Sequence, residues 1–504
     1  MNKKILCIGA EIELTDHMVT IMAGEDHLQN HGLITSNDFI PLCAGYYHTS
    51  CADLDTAMIV RLSDRFDKIV MLDQPISAYG HFKLFITTFK LMCELEDLKY
   101  STDFRNNKNN RDIQYWYEYL RTNKSFCAYP FSSYIENHEK TTLCCKNPFF
   151  IKFPKDIISW KNDPDYNKIR DRMMKGIQDW NQCGKACYSI EQEGVESTRQ
   201  FETLETAIRL GMSSIEDFAN LEHPVDYEIR PSNKCNIMCR MCDNERSHLI
   251  EKEWKKIGIQ VSRPPTFANT SLESLQIETA KRIYVAGGEP TIMPEFYAFL
   301  QKCIDINKTD FELLIGTNGM KVSNKLLNLL GHFSDVCFSV SFDGYKKIND
   351  YIRWGSEFDT IVKNAKLLKN QGHKIGLQTV LSIYNACRIH EIFEFYDAEF
   401  PGSSTLSQPA YFDGEILYPY NFPYPEMVLD SLHRCTKTRV YHANGRSTKS
   451  LIDSMISIYS DPNYRCDLIK LKKFFEFNDK LDTSRNSRLE DYIPELEECR
   501  RLIK

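Results

Sequence analysis

IRPSNKCNIMCRMCDNERS, residues 229–247, holds Cys235, Cys239 and Cys242 in the spacing C-x3-C-x2-C, immediately after an apolar run that reads as a strand. Three thiolates delivered by one loop can each take one iron of a four-iron cubane, which leaves the fourth iron without a protein ligand. An open iron accepts a small molecule through an amine and a carboxylate, whereas ligation by four cysteines closes the cluster. Zinc is the alternative, with a fourth ligand borrowed from elsewhere in the chain. The triad alone leaves both metals open.

Downstream of the triad, apolar runs recur in RIYVAGGEP (282–290), ELLIGTNG (312–319), DVCFSVSFDG (335–344), KIGLQTVLSI (374–383) and STLSQPAYF (404–412). Amphipathic stretches such as MPEFYAFLQKCIDI (293–306) and FDTIVKNAKLLKNQG (358–372) lie between them, with apolar residues three and four apart. Strand starts spaced roughly 20 to 35 residues apart are the rhythm of repeated βα units. The fold class is therefore α/β, with a parallel sheet or barrel over 225–412 and catalytic groups at the C-terminal strand ends. Residues at those ends are Gly287, Gly288 and Glu289, then Asn318, then Ser339, Ser341 and Asp343. GGEP alone reads as a β-turn, and short polar residues after a strand are ordinary turn formers.

The order of these motifs resembles the radical S-adenosylmethionine (SAM) superfamily over most of 225–412. The resemblance implies a partial (βα)6 TIM-like barrel and a [4Fe-4S] cluster on Cys235, Cys239 and Cys242, with SAM on its open iron. Gly287, Gly288 and Glu289 match the GGE motif that binds the methionyl ammonium of SAM. Glycines let a ligand approach the backbone, and a carboxylate is a charge-assisted acceptor. Asn318, Ser339, Ser341 and Asp343 fall where the superfamily places ribose and carboxylate contacts, with Gln378, Thr379 and Asn385 as weaker matches. Arg353 in YIRWG could pair with a carboxylate, although an exposed arginine is usually a solvated or ion-paired surface group. The implied chemistry is reductive cleavage of SAM to a 5′-deoxyadenosyl radical, which abstracts hydrogen from a substrate. A one-electron donor such as flavodoxin or ferredoxin is implied with it.

A second cysteine set lies upstream, in FCAYPFSSYIENHEKTTLCC (126–145) and NQCGKACYSIEQEGVESTRQ (181–200). Cys127, one of the adjacent Cys144 and Cys145, Cys183 and Cys187 could close a second cluster, or hold zinc in a purely stabilising site. The segment resembles the auxiliary-cluster region of twitch or SPASM-like radical SAM proteins, down to the trailing Glu191, Gly194, Ser197 and Arg199. Here it precedes the barrel. The other cysteines, among them Cys7, Cys43, Cys51, Cys93, Cys303 and Cys337, read as small buried apolar residues. Tyr46, Tyr47, His48 and Thr49 match no motif; a satisfied structural histidine is the simpler reading.

The 504 residues imply more than one domain. We divide them into a small α/β domain at 1–112, an auxiliary-cluster segment with its connecting helix at 113–224, the barrel at 225–412, and a mainly helical region at 413–504. The polar stretch 101–112 is the expected linker, and no chemistry is read in the last ninety or so residues. A net charge of −7 argues against a chain dominated by phosphate-backbone binding. No apolar stretch approaches the ~18 residues of a membrane span, and Glu11 and Glu13 interrupt the first apolar run too soon for a signal peptide. With 18 cysteines and no export signal, a cytoplasmic location with thiols and metal ligands is expected. Three functions are open: a radical enzyme acting on a peptide or protein side chain, a radical dehydrogenase or rearrangement enzyme on a small molecule, and a noncatalytic metal-binding interaction protein.

Overall fold

Every second side chain of ELLIGT and DVCFSVS is buried, the alternation of a strand with one face packed against helices. The structure, a computed structural model, describes residues 5–8, 18–20, 68–71, most of 115–144, 160–178, 183–192, 197–261, most of 272–410, 415–443 and 446–503. Two compact units emerge, one of residues 1–131 with 169–221 and the other of 132–168 with 222–504.

In the first unit, β1 (Ile5–Ile8) is the middle of a parallel sheet between β2 (Met18–Thr20) and β3 (Lys68–Met71). Further along, helix α1 (Thr198–Leu210) begins at a capping box made by Ser197 and Gln200 and ends at left-handed Gly211. Trp116, Phe126 and Phe218 form an aromatic core beside it, with Trp116 Nε1 bonded to Met212 O at 2.6 Å.

The second unit is built on an eight-stranded sheet. Its strands are β4 (Ser133–Asn137), β5 (Lys140–Thr142), β6 (Asp226–Ile229), β8 (Arg282–Val285), β9 (Glu312–Thr317), β10 (Asp335–Ser341), β12 (Lys374–Leu381) and β13 (Ser404–Pro409). They lie in the order β13-β12-β10-β9-β8-β6-β4-β5, parallel except for the β4–β5 pair, and curl into a seven-stranded parallel half-barrel. The six expected βα strands are all present. A seventh parallel strand comes from an upstream hairpin in the segment assigned to the auxiliary cluster, so the sheet does not begin at 225. Two residues from β7 (Met238–Cys239) pair separately with β11 (Arg353–Trp354).

Helices α2 (His248–Lys256), α3 (Pro294–Asp305), α4 (Asn324–Leu330), α5 (Lys347–Ile352), α6 (Phe358–Asn370) and α7 (Ile389–Glu399) alternate with the strands. Leu313, Ile315, Val336, Phe338, Val340, Ile375 and Leu377 form the buried face. The other face carries half-buried Tyr284, Gly316, Ser339, Ser341, Gly376 and Gln378. Downstream, α8 (Pro425–Cys435) packs on α9 (Arg446–Tyr459), and α10 (Leu468–Arg485) follows. The two units divide at 131/132, 168/169 and 221/222, the last within three residues of the expected boundary at 224, and strand pairing draws residues 133–142 into the barrel sheet. The expected linker 101–112, Tyr46 to Thr49, Cys145 and Gly194 lie outside the described residues. Among the described residues no helix is long and apolar enough to cross a membrane.

Candidate functional site

Parallel pairing of β6, β8, β9 and β10 brings their C-terminal ends to one edge of the sheet. The loop that follows β6 carries the triad, and it is held on three sides. Gly288 N donates to Ser232 O at 2.9 Å and Glu289 N to Lys234 O at 2.8 Å, which ties the GGE turn to the residues just before Cys235. His248, at the start of α2, donates its backbone N–H to Asn233 O at 3.0 Å, and its Nδ1 lies 3.2 Å from Cys235 N. On the third side Cys239 pairs with Arg353 in the β7–β11 ladder, and Arg240 N donates to Ile352 O at 2.8 Å. Asn318 Nδ2 reaches Asn236 Oδ1 at 2.7 Å and lies 3.9 Å from Cys235 Sγ, so this side chain faces the triad loop.

Glu289 departs from expectation. Its carboxylate is fully enclosed: Oε1 accepts from Thr291 N (3.1 Å), Thr291 Oγ1 (2.7 Å) and Thr317 Oγ1 (2.7 Å), and Oε2 from Asn318 N (2.6 Å). The glycines of the GGE turn therefore lie against the triad loop, while Glu289 knots the ends of β8 and β9 together. Burial raises its pKa, and the four donors offset only part of that rise. Glu289→Gln sets an amide N–H against one of these donors, and we expect it to cost about 2 kcal/mol in denaturant unfolding.

Asp343 is also turned inward. Oδ2 accepts from Arg353 Nη1 and Oδ1 from Val380 N, at 2.6 and 2.7 Å, in a fully buried position that leaves its carboxylate to the fold. Arg353 is correspondingly a buried residue, contrary to the surface reading. Its Nε is buried with no hydrogen-bond partner. Thr379 bonds Tyr396 Oη, and Asn385 bonds the Asp343 and Val380 carbonyls, so both support the strand ends. By contrast Ser339, Ser341 and Gln378 share the half-buried face, with Ser341 opposite Gln378 in register and Ser339 Oγ 3.3 Å from Gln378 Oε1. These three remain open to a ligand.

In the first unit, Cys127 and Cys187 are buried and Cys183 half-buried. Cys183 opens a π-helical turn, Gly184–Tyr188, that carries Cys187. Arg199 forms a two-pronged pair with Glu191, Nε to Oε1 at 2.8 Å and Nη2 to Oε2 at 2.7 Å, while Nη1 donates to Phe126 O at 2.6 Å. Ser197 Oγ also donates to Glu191. Burial raises the Cys187 thiol, and donors from the Arg199 backbone and the Ser197 side chain oppose it. Cys144 is half-buried and belongs to the second unit.

Residues 229–396, about a third of the chain, match the family model of the Radical SAM superfamily. Residues 229–396 are a radical SAM domain. An uncharacterized protein of Methanothermobacter thermautotrophicus is 27% identical over 113 residues, 22% of this chain and 43% of that protein. Among solved structures, anSMEcpe with bound AdoMet is similar at a TM-score of 0.32 and 19% identity, covering 42% of this chain and 58% of that one. Streptococcus suis SuiB bound to precursor peptide SuiA is similar at 0.31 and 16%, covering 62% and 63%. The chain thus spans less than two thirds of each of these proteins.

The superfamily implies a [4Fe-4S] cluster and SAM, and the residues of this radical SAM domain fit both. Soft thiolates suit iron–sulfur binding, and all three come from one sutured loop. Among the described residues no three Cys, His, Asp or Glu side chains group closely enough for a single metal ion, whereas a cubane gives each cysteine its own iron. Burial pushes the Cys235 thiol up to about 12 and raises Cys239 and Cys242 as well, so binding iron must release their protons. The buried guanidinium of Arg353, with Nε unbonded, lies on the strand paired with Cys239, where positive charge favours thiolate. Gly287 and Gly288 let the triad loop pack directly on the turn, since a Cβ would stand 2.7 Å from Ser232 O at the first and 2.1 Å from Lys234 O at the second, and half-buried Ser339, Ser341 and Gln378 leave polar groups for SAM.

Proposed function

We propose that this protein is a radical SAM enzyme that reductively cleaves SAM and abstracts hydrogen from a peptide or protein side chain. The observation that carries the reading is the double backbone tie between the triad loop and the GGE turn, at 2.9 and 2.8 Å. It holds the loop of three thiols against the GGE turn on one edge of the sheet, the arrangement a cluster with an iron-bound amino acid needs. When bound, the cluster supplies the electron that breaks the C5′–S bond of SAM and releases the 5′-deoxyadenosyl radical. Cys235, Cys239 and Cys242 hold the irons, the Gly287–Gly288 backbone faces the methionyl end, and Ser339, Ser341 and Gln378 orient the rest of the ligand. Arg353 keeps positive charge beside the anionic site. Its pairing with Asp343 keeps that cation in place.

Cys127, Cys183 and Cys187 are proposed ligands of an auxiliary cluster. The Glu191–Arg199 pair supports this: it braces the chain around Cys187 and holds the carbonyl before Cys127. The segment's resemblance to twitch and SPASM-like regions favours a peptide or protein substrate, with flavodoxin or ferredoxin as donor in the cytoplasm. The test is anaerobic reconstitution with iron and sulfide, dithionite reduction, and chromatography for 5′-deoxyadenosine with and without candidate peptides. Formation of 5′-deoxyadenosine establishes the enzyme. A protein that takes up zinc, ignores SAM and shows no cluster absorbance is a metal-binding interaction protein instead.

A further inference from the structure

Arg240 lies between Cys239 and Cys242, yet its side chain runs to the far end of the sequence. The guanidinium is fully enclosed. Nε donates to Tyr351 O at 3.0 Å, Nη1 to Asn478 Oδ1 at 3.1 Å, and Nη2 to Asp482 Oδ1 at 2.6 Å and Ser487 Oγ at 3.2 Å. Its Cζ lies 3.6 Å from the Tyr351 ring centroid. Asp482, on α10, gathers Tyr351 Oη at 3.0 Å, Ser487 Oγ at 2.8 Å and Leu489 N at 2.8 Å around the same point. A second buried pair lies one turn further along α10. Arg485 donates from Nε and Nη2 to Glu253, at 2.9 and 2.6 Å, on the helix that leaves the triad loop.

A buried ion pair is weak grounds for stability, since desolvation offsets most of its attraction; what it fixes well is registry. Here two such pairs join α10 to the triad loop and to α2, across more than 230 residues of sequence. We infer that α10 is a brace for the triad loop, with Arg240 and Asp482 as positioning residues that fix where the three thiols stand. The inference deepens the proposed function, since it rests on those thiols holding the cluster. A loop crossing the edge of a sheet is otherwise drawn from the less stable part of a fold. The C-terminal region, in which the sequence shows no chemistry, then acts on the site through Arg240.

The test uses full-length Asp482→Asn, with Glu495→Gln as control, because the Arg388–Glu495 pair at 2.7 Å does not touch the triad loop. Hydrogen exchange is measured first on the metal-free protein. The Arg240 amide, bonded to Ile352 O, is expected to exchange roughly tenfold faster or more in Asp482→Asn, as for about 1.4 kcal/mol lost. It should not change in Glu495→Gln. After reconstitution, removing the Asp482 charge leaves Arg240 uncompensated, which favours the more negative, reduced cluster. At a fixed potential the reduced-to-oxidised ratio should therefore rise by roughly threefold or more. A merely structural role would lower the melting temperature of both variants and move neither reading. Unchanged Arg240 exchange, or an unchanged midpoint beside faster exchange, overturns the brace. Should the wild type form no cluster, the metal reading fails, while unchanged Arg240 exchange in Asp482→Asn would still overturn the brace. If Asp482→Asn does not fold, Ser487→Ala removes one bond to Arg240 and should speed exchange of the Arg240 amide by a smaller factor.

Discussion

Cys239→Ala is expected to abolish 5′-deoxyadenosine formation by the reconstituted protein and to lower its iron content by about four atoms per chain. With two thiolates left, a second iron of the cubane loses its protein ligand and the cluster is no longer retained. The variant should nonetheless fold. Cys239 pairs with Arg353 through the backbone, and alanine preserves that ladder. Loss of one half-buried sulfur costs about 1 kcal/mol, well within ordinary stability. Iron counting, chromatography of the SAM products and a melting curve therefore separate the site from the fold. Cys303→Ala, on the buried face of α3, is the matched control and should keep its iron. If Cys239→Ala still cleaves SAM at the wild-type rate, the triad is not the site. An auxiliary cluster in the first unit should survive in the variant, so residual iron near four would support Cys127, Cys183 and Cys187 as its ligands.

What was legible in the sequence follows from range. The six βα strands after the triad announce themselves because strand alternation and helix periodicity are local, and Cys235, Cys239 and Cys242 stand on one loop. Ser339 and Ser341 are readable as a pair because residues two apart in a strand share a face. The hairpin β4–β5 was missed: it is short, and Ser133–Asn137 joins the sheet by pairing with β6, about ninety residues on. Glu289 was placed correctly at the end of β8 but not in its orientation, since its partners Thr317 and Asn318 belong to the next strand end. Arg353 and Asp343 illustrate the same limit, each polar in sequence and paired with the other in space. Arg240 had no readable partner at all, because Asp482 lies 242 residues away. Sequence patterns thus locate groups, while nonlocal hydrogen bonds decide which of them stay available to a ligand.

Gly288→Ala should be the most damaging glycine-to-alanine change among the described residues, lowering SAM cleavage about a hundredfold if the triad loop is displaced by about an ångström. The cause is contact and not backbone strain. A Cβ at Gly288 would stand 2.1 Å from Lys234 O, 2.5 Å from Lys234 C and 2.7 Å from Asn233 C, all backbone atoms that cannot rotate away. The segment leading into Cys235 must move, and the two bonds that tie it to the turn stretch with it. Overpacking and loss of two net hydrogen bonds together should cost about 3 kcal/mol. Gly372→Ala provides the comparison: its φ of +88° strains an alanine by about 1–2 kcal/mol, but its Cβ meets nothing within 4 Å. That variant should lose some stability and keep full SAM cleavage. Measured at a temperature where both variants are folded, a Gly288→Ala protein as active as Gly372→Ala would reduce the GGE turn to a structural bend. A loss confined to Gly288→Ala would place the SAM site at the seam between that turn and the triad.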